Sequence, residues 1–221
     1  MSRISSSETI GVIGAGAMGS GIAQVAAAAG HRVVLYDVRE ESIQKGIDGL
    51  SKGLLKLVDK NKLAKEEADN LLNRIKPVTD INELKSCELV IEAIFEDLEV
   101  KQDLFKTLEK ICNENTLFAS NTSSLSITAI ASVLERPGNL AGMHFFNPAQ
   151  IMKLVEIVSG VATNPDTAET LFQTASAWGK EAVHVKSTPG FIVNRVARPF
   201  YAEALRVMEE GGADIATIDC I

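Results

Sequence analysis

Residues 11–19, Gly11-Val12-Ile13-Gly14-Ala15-Gly16-Ala17-Met18-Gly19, carry three glycines at G-x-G-x-x-G spacing: Gly14, Gly16 and Gly19. Alone the pattern is weak. Here an apolar run, Thr9–Ile13, precedes it and an Ala-rich helical pattern over 17–29 follows. A second apolar run, Arg32–Tyr36, then ends at Asp37. In a strand–turn–helix each glycine has its own task. Gly14 makes the tight turn, Gly16 lets the backbone approach a pyrophosphate, and Gly19 lets the helix lie close on the strand. The helix start offers free N–H groups and a partial positive charge to phosphates. Asp37 is placed to bond both ribose hydroxyls of an adenosine, and a carboxylate there repels a 2′-phosphate. Gly14, Gly16, Ala17, Met18, Gly19 and Asp37 are therefore candidate contacts to a dinucleotide, with NAD favoured over NADP. Arg39, two residues on, is the one feature of opposite sign.

Outward from this unit, apolar runs and amphipathic stretches keep alternating. Strands are predicted at Thr9–Ile13, Arg32–Tyr36, 89–93, Leu117–Ser120 and Leu140–Phe145, with helices at 17–29, 40–58, 64–73, 98–112 and 126–134. Such alternation predicts crossover units and a parallel sheet covered on both faces. Two later runs, 154–158 and 182–185, flank a helical pattern at 166–178 and extend the sheet at one edge. Ser187-Thr188-Pro189-Gly190 interrupts both periodicities. The expected organisation is an α/β, doubly wound, mostly parallel Rossmann-type domain over 1–187, followed by the start of an all-α domain over 188–221. Beyond the interruption, Phe191, Ile192, Val193, Val196, Phe200, Tyr201, Leu205 and Met208 form an apolar helical pattern more than half the way round. A helix so apolar is expected to be buried. Residues 209–221 are too few for a second core, so only the first helix of the helical domain is expected.

Composition bounds the function. The chain has 221 residues, 46% hydrophobic and 23% charged, ordinary values for a soluble globular protein. A net charge of −7 offers no basic field for nucleic acid, although a small phosphorylated ligand needs only local donors. Cys87, Cys112 and Cys220 are odd in number and far apart. They predict reduced thiols in a cytoplasmic setting, with no disulfide framework and no metal site. The start of the chain lacks a secretory apolar region, and no apolar run approaches the roughly 18 residues of a membrane helix.

Met143-His144-Phe145-Phe146-Asn147-Pro148 sets one of 3 histidines against two phenylalanines. From spacing alone His144 reads equally as a core histidine or as one held at a cleft. Taken in order, the glycine fingerprint, Asn121-Thr122-Ser123-Ser124, the histidine stretch, Lys153-Leu154-Val155-Glu156 and Thr188-Pro189-Gly190-Phe191-Ile192-Val193-Asn194-Arg195 resemble the L-3-hydroxyacyl-CoA dehydrogenases. That family includes bacterial 3-hydroxybutyryl-CoA dehydrogenases and relatives in aromatic-acid degradation, and the resemblance runs from Thr9 to the last residue. It implies NAD-dependent interconversion of (S)-3-hydroxyacyl-CoA and 3-oxoacyl-CoA. It also implies that His144 is the catalytic base, polarised by Glu156, and that Ser123 and Asn194 contact substrate. Glu96, Lys101, Asn121 and Asn147 map to nicotinamide-side contacts. Family members carry a helical C-terminal domain of about a hundred residues that closes over the substrate and forms the dimer. A homodimer is therefore expected when full-length, and the activity of this chain alone stays open.

The residue types suit that chemistry. Histidine ordinarily titrates near neutral pH and so can take a hydroxyl proton as hydride leaves the carbon. Phe145 and Phe146 would limit water, and Glu156 would fix the imidazole tautomer. Ser123 also reads as a helix cap, a task Ser124 or Ser126 would serve as well. Asn194, inside an apolar helix, needs a substrate or backbone partner. Glu96 and Asp97 also read as first-turn acids favoured by the helix dipole. His31 and His184, with no acid at a suggestive spacing, read as structural.

On the helix at 40–58, Lys45, Lys52, Lys56 and Lys60 share one stripe, opposite Ile43, Ile47, Leu50, Leu54 and Leu57. Gly46, Gly49 and Gly53 lie beside the lysines, where a ligand or another backbone would come close. The stripe is either a solvated face or a seat for coenzyme A, with Lys52 and Lys56 as candidate substrate contacts. Two other functions remain in view: a dehydrogenase of another 3-hydroxy acid, whose base is normally a lysine, and a non-catalytic, crystallin-like NAD-binding relative.

Overall fold

The apolar runs around the fingerprint leave no polar face for water. In the computed structural model, which describes residues 3–220, they form the middle of one eight-stranded sheet. Its strands are β1 (Thr9–Ile13), β2 (Arg32–Tyr36), β3 (Ile75–Val78), β4 (Leu89–Glu92), β5 (Leu117–Ser120), β6 (Leu140–Phe145), β7 (Leu154–Ser159) and β8 (Glu181–Lys186). They lie in the order β3-β2-β1-β4-β5-β6-β7-β8, and every neighbouring pair is parallel except β6 with β7. The chain leaves β1 toward one edge and returns to its other side with β4. That reversal is a topological switch point, and a crevice opens beyond the strands' C-terminal ends there.

Helices cover both faces, as a sheet without a polar side requires. On one side α1 (Ala17–Ala28), α2 (Glu40–Asp59), α3 (Lys65–Asn73) and α6 (Pro165–Ala177) bury Ile10, Val12, Ile22, Leu35, Leu54 and Ile157. On the other, α4 (Leu98–Ile111) and the short α5 (Ile127–Ala131) bury Ile13, Val90, Phe105, Leu108, Phe118 and Leu140. Burial pushes the Cys87 thiol up to about 12 and the Cys112 thiol up to about 11, so both stay protonated at neutral pH. All three cysteines are free. Among the described residues no helix is long and apolar enough to cross a membrane.

Four departures from the expected elements have physical causes. β3 is a strand the sequence concealed, because Pro77 cannot donate to a ladder; it is tolerated since β3 pairs only with β2, at the sheet edge. The helix expected at 126–134 shrinks to α5, and Ser126 rather than Ser123 caps it, accepting from the Ala129 amide at 3.2 Å. The helical pattern from Phe191 begins only at Val193 with α7 (Val193–Glu209), because Gly190 and Phe191 both have left-handed backbone, φ +75° and +49°. The expected burial of that helix is also not met among the described residues. α7 has no buried residue, and Val196, Phe200, Tyr201 and Leu205 are exposed. A short helix, α8 (Ile215–Asp219), follows it.

The α2 glycines differ in what surrounds them. A Cβ on Gly46 would lie 2.6 Å from Ser20 Oγ and 2.7 Å from the Ala15 carbonyl oxygen, so α1 and α2 touch there; one on Gly49 or Gly53 would meet nothing within 4 Å. Gly49→Ala and Gly53→Ala should each raise stability by about 0.5–1 kcal/mol, the helix-propensity gain. Gly46→Ala should lower it. Urea unfolding of the three variants is the test, and a stabilised Gly46→Ala would refute the close helix contact.

Candidate active site

Nucleotide-binding geometry begins at the β1–α1 turn. Gly14 has φ +97°, and a Cβ there would lie 2.6 Å from the Ala93 carbonyl oxygen. A Cβ on Gly19 would collide with the Gly14 carbonyl, which is how α1 comes down onto its strand. At Gly16, the N-cap of α1, a Cβ would face open space. No side chain caps that helix start and no acid lies in its first turn. Its amides are therefore left for an anion. Asp37 Oδ2 accepts from the Ala15 amide at 2.9 Å and Oδ1 from the Arg39 amide at 3.0 Å, which fixes the carboxylate while leaving lone pairs free. Beside it lies a cavity of about 500 Å³ lined by Gly14, Gly16, Asp37, Val38, Phe95 and Val100. A pyrophosphate at the turn, a ribose at Asp37 and an adenine against the apolar wall all fit this surface.

A second cavity, of about 380 Å³, opens on the other side of the turn. Its lining gathers Met18, Glu96, Lys101, Asn121, Ser123, His144, Asn147, Asn194 and Arg198 from six different segments. Across the antiparallel β6–β7 pair, His144 stands directly opposite Glu156. His144 Nδ1 lies 2.7 Å from Glu156 Oε2. An ionised carboxylate only accepts, so Nδ1 carries the proton of this hydrogen bond and Nε2 is left as the ring's acceptor. Nε2 has no partner, and no buried side-chain N or O among the described residues lacks one, so Nε2 opens on the cavity.

Glu156 itself is 0% exposed. Its other oxygen accepts from the Ile192 and Val193 amides at 2.9 and 3.0 Å, at the start of α7. The left-handed backbone at Phe191, which costs roughly 1–2 kcal/mol, turns that ring edge-on to His144 with centroids 5.7 Å apart. Phe146 covers the imidazole from another side at 4.5 Å. Asn194, one residue into α7, donates to the Ser123 carbonyl at 3.3 Å, so a backbone group meets its need for a partner. Asn147, joined to Pro148 by a cis peptide bond, borders the same space.

The third part of the site is a charge cluster that sequence reasoning only half found. Lys101 is 1% exposed, and its ammonium lies 2.8 Å from both Glu92 and Glu96. Glu92, fully buried, also accepts from Ser120 Oγ at 2.6 Å and the Ile94 amide at 2.8 Å. Glu96 accepts from Thr122 Oγ1, the Ser123 amide and Ser123 Oγ. Partial burial pushes the Glu96 carboxyl up. The Lys101 ammonium, the Ser123 amide and the Thr122 hydroxyl outweigh that, and the net shift is down. Asn121 Oδ1 accepts from the Phe145 amide at 2.8 Å, locking the end of β5 to β6.

The family described as "3-hydroxyacyl-CoA dehydrogenase, NAD binding domain" matches residues 9–188. The chain belongs to the 3-hydroxyacyl-CoA dehydrogenase family. The model described as "3-hydroxyacyl-CoA dehydrogenase, C-terminal domain" matches residues 190–221. The chain is 51% identical to the 3-hydroxyadipyl-CoA dehydrogenase of Escherichia coli K12 over 212 residues, which are 96% of this chain and 45% of that protein. It is 44% identical to the 3-hydroxybutyryl-CoA dehydrogenase of Clostridioides difficile, over 95% of this chain and 75% of that one. A crystal structure of (S)-3-hydroxybutyryl-CoA dehydrogenase from Ralstonia eutropha superposes with a TM-score of 0.93 at 40% identity, covering 95% of this chain and 74% of that chain. This chain thus spans less than half the length of the Escherichia coli relative.

Within this dehydrogenase family member, the residues singled out from sequence gather at the fingerprint turn and the two cavities beside it, except Lys52 and Lys56. Lys52 and Lys56 are exposed on α2 and line neither cavity described above. A further cavity between α1 and α2, about 350 Å³, is lined instead by Lys45, Gly46, Gly49, Gly53, Asn147 and Gln150. His31 is structural: Nε2 accepts from Trp178 Nε1 at 3.0 Å in the core. His184 has an acid partner after all, Glu169 on α6 at 3.3 Å, because packing rather than spacing brings them together on the outer strand. Sequence reasoning missed Glu92, Ser120, Thr122 and Arg198. Glu92 had a signal, a carboxylate closing an otherwise apolar strand. Arg198 had another, standing one turn after Asn194 and so on the same helix face.

Asp37 already holds its carboxylate against the ribose position, and a like charge brought to it costs several kcal/mol. NADH should bind about 100-fold more tightly than NADPH. Calorimetry with both cofactors checks this; comparable affinities would mean that Arg39 faces the ribose instead.

Proposed function

We propose that this cleft interconverts (S)-3-hydroxyacyl-CoA and 3-oxoacyl-CoA, with His144 as the base. The observation that carries the reading is the His144–Glu156 pair, which leaves Nε2 free in a residue that lines one cavity together with Ser123 and Asn194. Nε2 takes the proton of the substrate hydroxyl, and the buried Glu156 carboxylate stabilises the imidazolium that forms. A nicotinamide held beside His144 would supply the acceptor for the hydride on the hydroxyl-bearing carbon. Ser123 Oγ and the Asn194 amide border the space where the oxygen on that carbon would sit, and Phe146 and Phe191 restrict water around the imidazole. In the reverse direction His144 returns the proton to the carbonyl oxygen. Lys101, Glu96, Asn121 and Asn147 shape the nicotinamide side in this reading, Lys101 acting as the counter-charge to Glu92 and Glu96.

A lysine base, as in dehydrogenases of other 3-hydroxy acids, has no support here. Lys101 lies in the cavity, but its ammonium is already held between two carboxylates. The acyl-CoA substrate is supported by the relatives' names, whose acyl groups differ in length and in their far end: an adipyl chain has six carbons and ends in a carboxylate, and a butyryl chain has four and does not. We place the coenzyme A phosphates along α2, with Lys45 at the cavity and Lys52 and Lys56 further along the helix. We also propose a cytoplasmic setting, supported by the free buried thiols, and a homodimer for the full-length protein, supported by the exposed apolar stripe on α7.

His144→Gln should abolish turnover of acetoacetyl-CoA with NADH while leaving NADH binding intact. Glu156→Gln should cut turnover by about two to four orders of magnitude, the usual scale of an orienting acid. Retained activity in His144→Gln would return His144 to the core. Lys45→Glu should raise KM for acyl-CoA far more than for a pantetheine-truncated thioester; an equal rise on both would remove α2 from coenzyme A binding.

A further inference from the structure

We infer that Arg198 selects acyl chains that end in a carboxylate. The inference rests on the reading of the cleft as a 3-hydroxyacyl-CoA site and adds the class of acyl group. Arg198 stands one turn beyond Asn194 on α7, so both side chains leave the helix on one face, and both line the cavity of His144 and Ser123. Among the charged groups of this cavity, Arg198 differs in its partners. Lys101 is held between Glu92 and Glu96. Glu96 is further occupied by Thr122 and Ser123. Glu156 lies behind His144, satisfied by that ring and by two α7 amides. The ion pairs among the described residues leave Arg198 without a carboxylate.

Arg198 is exposed at the rim of the cavity, whose lining also includes Met18, Phe145 and Phe146. A hydrocarbon end would leave its guanidinium in water and gain nothing from it. A carboxylate would receive two parallel N–H bonds in the fork geometry that suits arginine. The two ends of the substrate are separated by the fold itself. Asn147 borders both this cavity and the one between α1 and α2. A thioester seated there can send its coenzyme A arm toward α2 and its acyl end toward α7. With carbon 3 at His144 Nε2, the carboxyl of a six-carbon dicarboxylic chain lies three carbons further on, toward Arg198.

The test compares 3-hydroxyadipyl-CoA with 3-hydroxyhexanoyl-CoA, equal in chain length and differing only in the terminal carboxylate, on the complete protein. The ratio of their kcat/KM values should favour the dicarboxylic chain by about 2- to 5-fold, the worth of one solvent-exposed ion pair. In Arg198→Met that ratio should collapse to about one, and Arg198→Lys should recover part of it through KM, since an ammonium keeps the charge without the fork. An unchanged ratio in Arg198→Met, or a wild-type ratio near one, overturns the inference while leaving the proposed reaction in place. Loss of NADH binding in Arg198→Met, read by fluorescence titration, would also overturn it by assigning the guanidinium to the cofactor. If the wild-type protein turned over neither substrate, the proposed reaction would fall and the inference with it.

Discussion

A carboxylate with no exposed surface must be satisfied entirely by protein, and Glu156 is that constraint here. The effective penalty for burying such an ion is several kcal/mol, so its partners are obligatory. One is the His144 imidazole across the strand pair; the others are the first amides of α7. The same group therefore sets the tautomer of the candidate base, the register of β6 against β7 and the take-off point of α7. A one-residue slip between the two strands would carry Glu156 to the opposite face of the sheet. The local strain at Phe191 belongs to the same arrangement, because the chain must turn sharply for its next two amides to reach the carboxylate.

The opposite wall of the cleft is built on the complementary principle. A buried ammonium needs compensation just as a carboxylate does, and Lys101 obtains it from Glu92 and Glu96 together. Glu92 extends the cluster to Ser120 and, through the Ser120 hydroxyl, to the Thr122 amide. The loop that carries Asn121 and Ser123 is thereby tied to the end of β4. Glu92, Ser120 and His144 stand at or next to the C-terminal ends of β4, β5 and β6, with Glu156 near the start of the antiparallel β7. The parallel sheet thus converts three separate chain segments into one polar rim above an apolar floor.

The dinucleotide fingerprint and the polar cleft are linked through α1. Gly19 lets α1 sit on β1, and Gly46 lets α2 sit on α1. Gly49 and Gly53 do not repeat that contact and border an open cavity instead. One strip of glycines on a single helix therefore performs two different tasks, close packing at its start and access to space further along.

Local sequence determined the central sheet, the fingerprint turn and the placement of Asp37 at the end of β2. Those features follow from apolar periodicity, from glycine where a Cβ cannot fit, and from the chain order of a doubly wound sheet. The edge strand with Pro77, the short α5 and the true start of α7 were not legible, since each depends on what lies beside it rather than on its own residues. The same holds for the site. His144 and Glu156 are readable as candidates by resemblance, but that they stand opposite each other is a property of the β6–β7 register. Lys101 is readable as a candidate by resemblance, but its burial between two acids is a product of packing. Lys52 and Lys56 read as a ligand stripe, whereas the cavity beside α2 takes Lys45. Long-range pairing and burial decide which charges meet, because the free energy of a charge depends on its neighbours in space and on its distance from water, and neither is written in the local sequence.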